Sequence, residues 1–529
     1  MGPPPMGPPP AGPAYGPPPG GGAGGGRGRR RGATIAVIAG SVAGVALIGG
    51  GAWAAMAFLS TGAQPAEALP AGTIGYVGVD LDPNGGQKIA ALETLKKFPG
   101  LDEQLDLGAD DDIRKWLFEK IQADSSCEGL DYDQDIEPWL GHRAGAAAVD
   151  LGGEEPATAI VLQTDDEEAT EAALTTCAAD GDSGWAFSDG WVVLADSTEV
   201  AEEIVAATAD GDLASDSDFQ HWTGEAGDPG IATVYAAPAA SKYFEDLGGM
   251  GQGLGLLGES PVSDESTADP ADSFQGFAGT LRFADGGVEI EVASGLEGAA
   301  EESLSSGRAG DMVATLPEST SVALGVGLAD GWVDQVLDSL AESTGMSADE
   351  LLTQAEAATG LDLPDDAEAL LGESAALALD GDIDPEALSG ATDPSALPIG
   401  LKVEGDPAEI EGVLDKVRPQ IDPTGSVLGS SGEGDVVAIG PDPDYLAMLL
   451  EDGGLGDTDA YRDVIPDQGD ATGLLYVNFD AADGWLTDVL ESGGAPAEVI
   501  ANVEPLDALG ASSWADGDVT HGLLRLTTD

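Results

Sequence analysis

The run Ala33 to Leu59, ATIAVIAGSVAGVALIGGGAWAAMAFL, constrains this chain more than any other stretch. It carries no charged residue, and at about 27 residues it exceeds the roughly 20 that a spanning helix needs. Arg27, Arg29, Arg30 and Arg31 stand just before it. Basic residues flanking a span stay on the cytoplasmic side. The expected topology is a cytoplasmic tail over residues 1–32, a single transmembrane helix over 33–59, a linker over 60–68, and an extracytoplasmic region after it. A secretory signal would have an apolar region of about 7–15 residues and a cleavage site beside it. Ala66-Glu67-Ala68 lies several residues past the apolar run, so the run reads as an uncleaved signal-anchor. No Cys follows it closely, which argues against a lipid-modified anchor. The tail itself is almost wholly Pro and Gly, a composition that forms no core and stays extended or flexible.

Charge narrows the partners. The chain has 19 Lys and Arg against 97 Asp and Glu. Setting aside the four arginines before the span, 19 − 4 leaves 15 basic against 97 acidic side chains, a net of −82 for the exterior part. Nucleic acid is excluded, because phosphate recognition needs Lys and Arg. Lying on an anionic membrane surface is disfavoured for the same reason. A hydrophobic content of 42% supports folded cores, so the acidity reads as a solvated surface, suited to a salt-rich habitat, with weak divalent-cation binding as the alternative. The two cysteines, Cys127 and Cys177, both lie in the exterior part. An oxidising compartment and an even count fit one disulfide; two free buried thiols are the other possibility.

After Leu69-Pro70 the chain alternates between period-2 and helical patterns. Thr73 to Val79 reads as a strand and Gln87 to Phe98 as a helix, with Ile89, Leu92, Leu95 and Phe98 on one face. Ala144 to Leu151 and Ala157 to Gln163 read as strands, and Asp165 to Cys177 as a helix. Trp185 to Ser188 and Trp191 to Ala195 form a hairpin across Asp189-Gly190. Ser197 to Thr208 is a helix. Ile231 to Ala236 is a strand leading into a helix through Tyr243, Phe244 and Leu247. Phe277 to Phe283 and Val288 to Val292 form a closing hairpin. Gly248 to Asp272 reads as a flexible insert.

The second half repeats this order. Leu316-Pro317 echoes Leu69-Pro70, and Ile399 to Val403 echoes the strand after Pro156. Val436 to Ile439 echoes Trp191 to Ala195, and Gly473 to Val477 echoes Ile231 to Tyr235. Ala515-Asp516-Gly517 echoes Ala284-Asp285-Gly286. Shared landmarks in one order indicate an internal duplication, with repeats over 69–295 and 316–529. Hairpins beside helices indicate an α+β fold of antiparallel sheets covered on one face. A binding site is expected at the junction of the repeats, the alternative being one continuous sheet shared by both.

The ordered set of a Pro/Gly tail, a basic cluster, one span, LPAGTIGYVGVDLDPNGGQKIAALETLKKFP, CEGLDYDQDIEPWLGHRAGAAAVD and GWVVLADSTEVAEEI resembles the actinobacterial membrane-anchored family known as domain of unknown function 3352. The resemblance implies a bacterial cell-envelope location. It implies no catalytic residue.

No motif supplies a reaction. Asp80, Asp82, Asn84 and Gly85 match the start of a calcium loop, but its twelfth position is Ala91 rather than the required Glu. Asp131, Asp133 and Asp135 lack the Gly at position six, and Asp380, Asp382 and Asp384 have Pro385 there. Gly253 to Gly258 spells G-x-G-x-x-G without a strand before it and a helix after it. His142, His221 and His521 are not at zinc-ligand spacing. Trp332 and Trp485 follow matching Asp-Gly pairs and read as core anchors. These readings imply no catalytic residue, metal site or cofactor. They favour a non-enzymatic protein that binds an envelope protein, lipid or polymer, over an envelope hydrolase with an unrecognised site.

Overall fold

The computed structural model describes residues 64–529 apart from 82–85, 101–111, 125–128, 154, 178–182, 244–273, 285, 297–307, 345, 384–396, 424 and 467. The basic cluster Arg27–Arg31 and the apolar run 33–59 lie outside the described residues. Among the described residues, no helix is long and apolar enough to cross a membrane.

The fold is α+β, built on one antiparallel sheet of 16 strands. In chain order these are β1 (Thr73–Asp80), β2 (Leu140–Val149), β3 (Ala157–Thr164), β4 (Gly184–Ser188), β5 (Trp191–Ala195), β6 (Ala232–Ala236), β7 (Phe274–Ala284), β8 (Gly287–Leu296), β9 (Thr320–Gly327), β10 (Ser374–Asp380), β11 (Ile399–Glu404), β12 (Gly429–Glu433), β13 (Val436–Gly440), β14 (Gly473–Asn478), β15 (Leu506–Asp516) and β16 (Val519–Thr528). The two arms meet where β8 pairs with β16. Outward from that seam one arm runs β8-β7-β6-β1-β2-β3-β5-β4, the other β16-β15-β14-β9-β10-β11-β13-β12. Each strand of the second arm occupies the place of the strand eight earlier in the first. Of the two arrangements expected from the sequence, the continuous sheet is the one seen.

The helices are α1 (Gly86–Lys96), α2 (Ile113–Asp124), α3 (Glu167–Cys177), α4 (Thr198–Thr208), α5 (Ser217–Glu225), α6 (Ala309–Ala314), α7 (Trp332–Thr344), α8 (Ala348–Thr359), α9 (Asp365–Leu371), α10 (Pro407–Ile421), α11 (Pro443–Leu450), α12 (Asp459–Val464), α13 (Trp485–Ser492) and α14 (Ala497–Val503). They lie on both faces of the sheet, which corrects the expectation of one covered face. The reason is in the strands: WVVLA in β5 and VVAIG in β13 are continuous apolar runs, and such strands bury both sides.

On the first face, α4 and α5 cover one arm and α6, α11 and α12 the other. The strand side chains there are small, among them Ala159, Ala278, Ala293, Ala323, Ala376, Ala378 and Ala508, all fully buried, so the helices approach closely. A Cβ at Gly325 would stand 2.5 Å from Val313 Cγ2 of α6, closer than any real side chain tolerates. The same small core recurs in both arms. Leu213 donates its backbone N–H to the Leu69 carbonyl at 2.8 Å, and Leu455 does so to Leu316 at 2.9 Å. Phe219 of α5 meets Tyr235 of β6 edge-on with centroids 5.0 Å apart, and Tyr461 of α12 meets Tyr476 of β14 at 5.2 Å.

On the second face, Ala91 and Leu95 of α1 pack with Leu281 and Phe283, and Ala173 of α3 with Trp139 and Leu140. Ile410 and Leu414 of α10 pack with Val403 and Val437. Ile89, expected on the buried side of α1, is 54% exposed. The described chain after β6 forms a 3-10 turn over Pro238–Tyr243; Phe244 and Leu247 of the helix expected there, and the insert 248–272, lie outside the described residues. That connection occupies the same place in the strand order as residues 479–505, which carry α13 and α14. The place therefore has a counterpart, although the sequences do not resemble each other.

Candidate binding surface

The seam between the arms, where a site was expected, is a β-ladder from Val519 opposite Gly295 to Thr527 opposite Gly287. Its first face is filled by charge. Arg282, Glu289 and Arg525 sit opposite one another on β7, β8 and β16. Arg525 Nε donates to Glu289 Oε2 at 2.8 Å. Arg282 pairs with both Glu289 and Glu291 and donates to the Asp228 carbonyl at 2.9 Å. Burial works against the Arg282 charge, yet Glu291 and Glu289 hold its pKa above the usual guanidinium value. Four residues before Arg525 on the same face of β16, His521 is buried, stacks on Trp514 at 5.1 Å, and has Nε2 3.7 Å from Glu225 of α5. Glu225 also lies 3.7 Å from His221. Sequence spacing had left the two histidines unrelated; the fold brings them to one carboxylate. Two arginines against two glutamates make the centre a structural tie.

The apolar surface lies on the second face. Leu401, Leu377, Leu324 and Leu475 are in register across β11, β10, β9 and β14. Leu324 and Leu377 stand on interior strands, yet they are 48% and 43% exposed. A side chain on an interior strand is exposed only where its face is uncovered. The corresponding row of the first arm is Ile160, Ala146, Val77 and Val234, with Val234 37% exposed. Because β9 and β14 run antiparallel, the chain leaves β9 toward α7 on one side of the leucine row and leaves β14 toward α13 on the other. Both helices are amphipathic. α7 contacts α8 and α9, and α13 contacts α14, while α8, α13 and α14 bury no residue fully. Leu340 of α7 and Val499 of α14 are more than two-fifths exposed.

Cationic groups are largely committed to the fold. Arg143 pairs with Asp80 at 3.6 Å, Lys115 with Asp133 at 2.8 Å, Lys416 with Asp366 at 2.7 Å and Arg418 with Glu411 at 2.5 Å. Lys402 is buried beneath the end of α6, where Nζ donates to Thr315 Oγ1 at 2.8 Å and to the Thr315 carbonyl at 3.2 Å. Burial lowers its pKa.

The acidic motifs are spent in the same way. Asp80 holds Arg143, and residues 82–85 of that pattern lie outside the described residues. Asp131 caps the turn that follows it, accepting from Gln134 N at 3.1 Å, and Asp135 accepts from Asp131 N at 2.8 Å. Asp380 accepts from Ser319 Oγ at 2.5 Å and from Asp382 N at 3.0 Å. Among the described residues no three His, Cys, Asp or Glu side chains converge as a metal site. Trp485 Nε1 donates to the Asn478 carbonyl at 2.7 Å, anchoring the start of α13; Trp332 is half-buried at the start of α7. Cys177 ends α3, and no free cysteine is found among the described residues; Cys127 lies outside them.

No curated protein matches the chain. Two solved structures, crystal forms III and I of TP0453, are similar to it at 8% and 7% identity. They align over 45% of this chain and 81% and 80% of theirs, with TM-scores of 0.21 and 0.19. Residues 175–382 match the model of the family described as protein of unknown function DUF3352, running from the end of α3 to just past β10, so the resemblance carried by the sequence holds over that stretch.

Proposed function

We propose that this is a single-pass, membrane-anchored extracytoplasmic protein of the bacterial cell envelope that binds an apolar ligand without catalysing a reaction. The carrying observation is the exposed leucine row on interior strands β9 and β10. Exposed apolar surface in register across a sheet, on a chain this acidic, marks a binding surface. With cations held in internal pairs and a net exterior charge of −82, the ligand is one without an anionic head: a neutral acyl chain rather than an acidic lipid. The apolar run 33–59 and the arginines before it support the anchor and its orientation. The matching strand orders and the recurrent Leu–Leu and ring–ring contacts support an internal duplication that closes into one sheet. Cys127 and Cys177 form the disulfide.

A photoreactive monoacylglycerol added to the full chain in detergent tests the ligand. Crosslinks are expected on peptides containing Leu324 and Leu377 and are lost in Leu324→Asn/Leu377→Asn. Unchanged crosslinking in that variant overturns the assignment. A reporter active only in the cytoplasm, fused after Asp529, is expected to be silent; activity there overturns the topology.

A further inference from the structure

Among the described residues, the two end strands of the sheet, β4 and β12, are paired on one side only. They hold the same place in the two arms, and they are built differently. β12 is Gly-Ser-Ser-Gly-Glu, and its Ser430 is tied to Arg418 at 2.7 Å and to Glu411 at 2.7 Å. A short polar strand ending in a charge is how proteins blunt an edge. β4 is Gly-Trp-Ala-Phe-Ser, with no charge and two half-buried aromatic rings.

The hairpin geometry shows which backbone groups β4 leaves open. Asp189 and Gly190 have φ of 39° and 86°, the two positive values of a type I′ turn. Ser188 and Trp191 therefore close the turn as a hydrogen-bonded pair, and such pairs alternate along an antiparallel ladder. Ala186 turns its N–H and C=O toward β5. Trp185 and Phe187 turn theirs outward, to the edge.

Along this edge runs a groove of about 620 Å3, lined by Trp185, Ala186, Phe187, Val205, Glu171 and Glu202 among others. Glu171 comes from α3 on the second face and Glu202 and Val205 from α4 on the first, so the groove flanks β4 from both sides. Both glutamates are exposed, and neither makes an ion pair among the described residues. We propose that β4 is a docking edge for an extended, cationic peptide segment of another protein, which adds as a further strand. Its backbone meets the outward groups of Trp185 and Phe187, its apolar side chains lie along the two rings on the second face, and its basic side chains, on the first face, reach Glu202, with Glu171 adding negative charge from the other side. A second copy of this chain is the disfavoured occupant, because each exterior part carries a net −82 and repels its like.

The test uses the full chain in detergent and three synthetic probes: acetyl-KVKVKV-amide, acetyl-EVEVEV-amide, and the first peptide with alternate amides N-methylated. The basic peptide is expected to slow amide exchange at Trp185 and Phe187 and to bind at least tenfold more tightly than either other probe. Glu171→Lys/Glu202→Lys is expected to reverse the preference between the basic and acidic peptides. Equal binding of the N-methylated probe, protection elsewhere than β4, or an unreversed preference overturns the proposal. Protection of Trp185 and Phe187 without peptide, together with a dimer in sedimentation, overturns it in favour of a second copy.

Discussion

Arg525 on β16 donates Nε to Glu289 on β8 at 2.8 Å, and through this pair the last strand of the second arm is held to the last strand of the first. Both side chains are nearly enclosed, at 14% and 10% exposure, and Glu289 also holds Arg282. A buried pair does little for stability against an apolar substitute, but removing one partner leaves the other under-compensated: without Arg525, Arg282 alone balances Glu289 and Glu291. Arg525→Ala is therefore expected to cost about 1–3 kcal/mol, less than a wholly unpaired buried charge would, read as a lowered urea midpoint. A variant with the parent's midpoint would show that the seam depends on its ladder alone.

The leucine row and the tyrosine core differ in what truncation does. Tyr476 is 0% exposed and meets Tyr461 edge-on, so Tyr476→Ala is expected to destabilise by about 3–5 kcal/mol. Leu377 is 43% exposed, and Leu377→Ser is expected to cost under about 1 kcal/mol, as for surface substitutions. Denaturant unfolding of both variants checks the contrast; comparable losses would mean that the second face is covered at Leu377.

Asp480 follows β14. Partial burial pushes its pKa up to about 6, and Asp529 and Asp507 push the same way. A carboxyl whose folded pKa is raised holds its proton more tightly in the folded state. Its contribution is present in full below the unfolded value and is lost as pH rises through about 6. Asp480→Asn is thus expected to gain thermal stability over the parent between pH 4 and pH 7. A constant difference in melting temperature across that range would refute the assignment.

The proposed Cys127–Cys177 bridge predicts that the denatured, unreduced chain takes up no thiol label and that reduction exposes two sites. In the entropy model, closing a loop of about 50 residues stabilises by roughly 4 kcal/mol, so reduction is also expected to lower the melting temperature. Two labelled cysteines before reduction would rule the bridge out.

Local chemistry was enough to place most strands and turns. Asp189-Gly190 specifies its turn through two positive φ values, and TSVALGVG alternates because one side of β9 faces helix α6. The repeated Leu-Pro starts were visible because each leucine carries the same backbone bond, to Leu213 in one arm and to Leu455 in the other. What local pattern could not contain is pairing between distant strands. That β8 finds β16 depends on a register across more than 220 residues, fixed by Arg282, Glu289 and Arg525 meeting on one face. The same holds for His221 and His521 at Glu225, which share no sequence spacing. The exposed leucine row was hidden for a related reason. Leu324 and Leu377 alternate like core residues, and only the placing of helices around the sheet decides which alternating face is buried and which is left open.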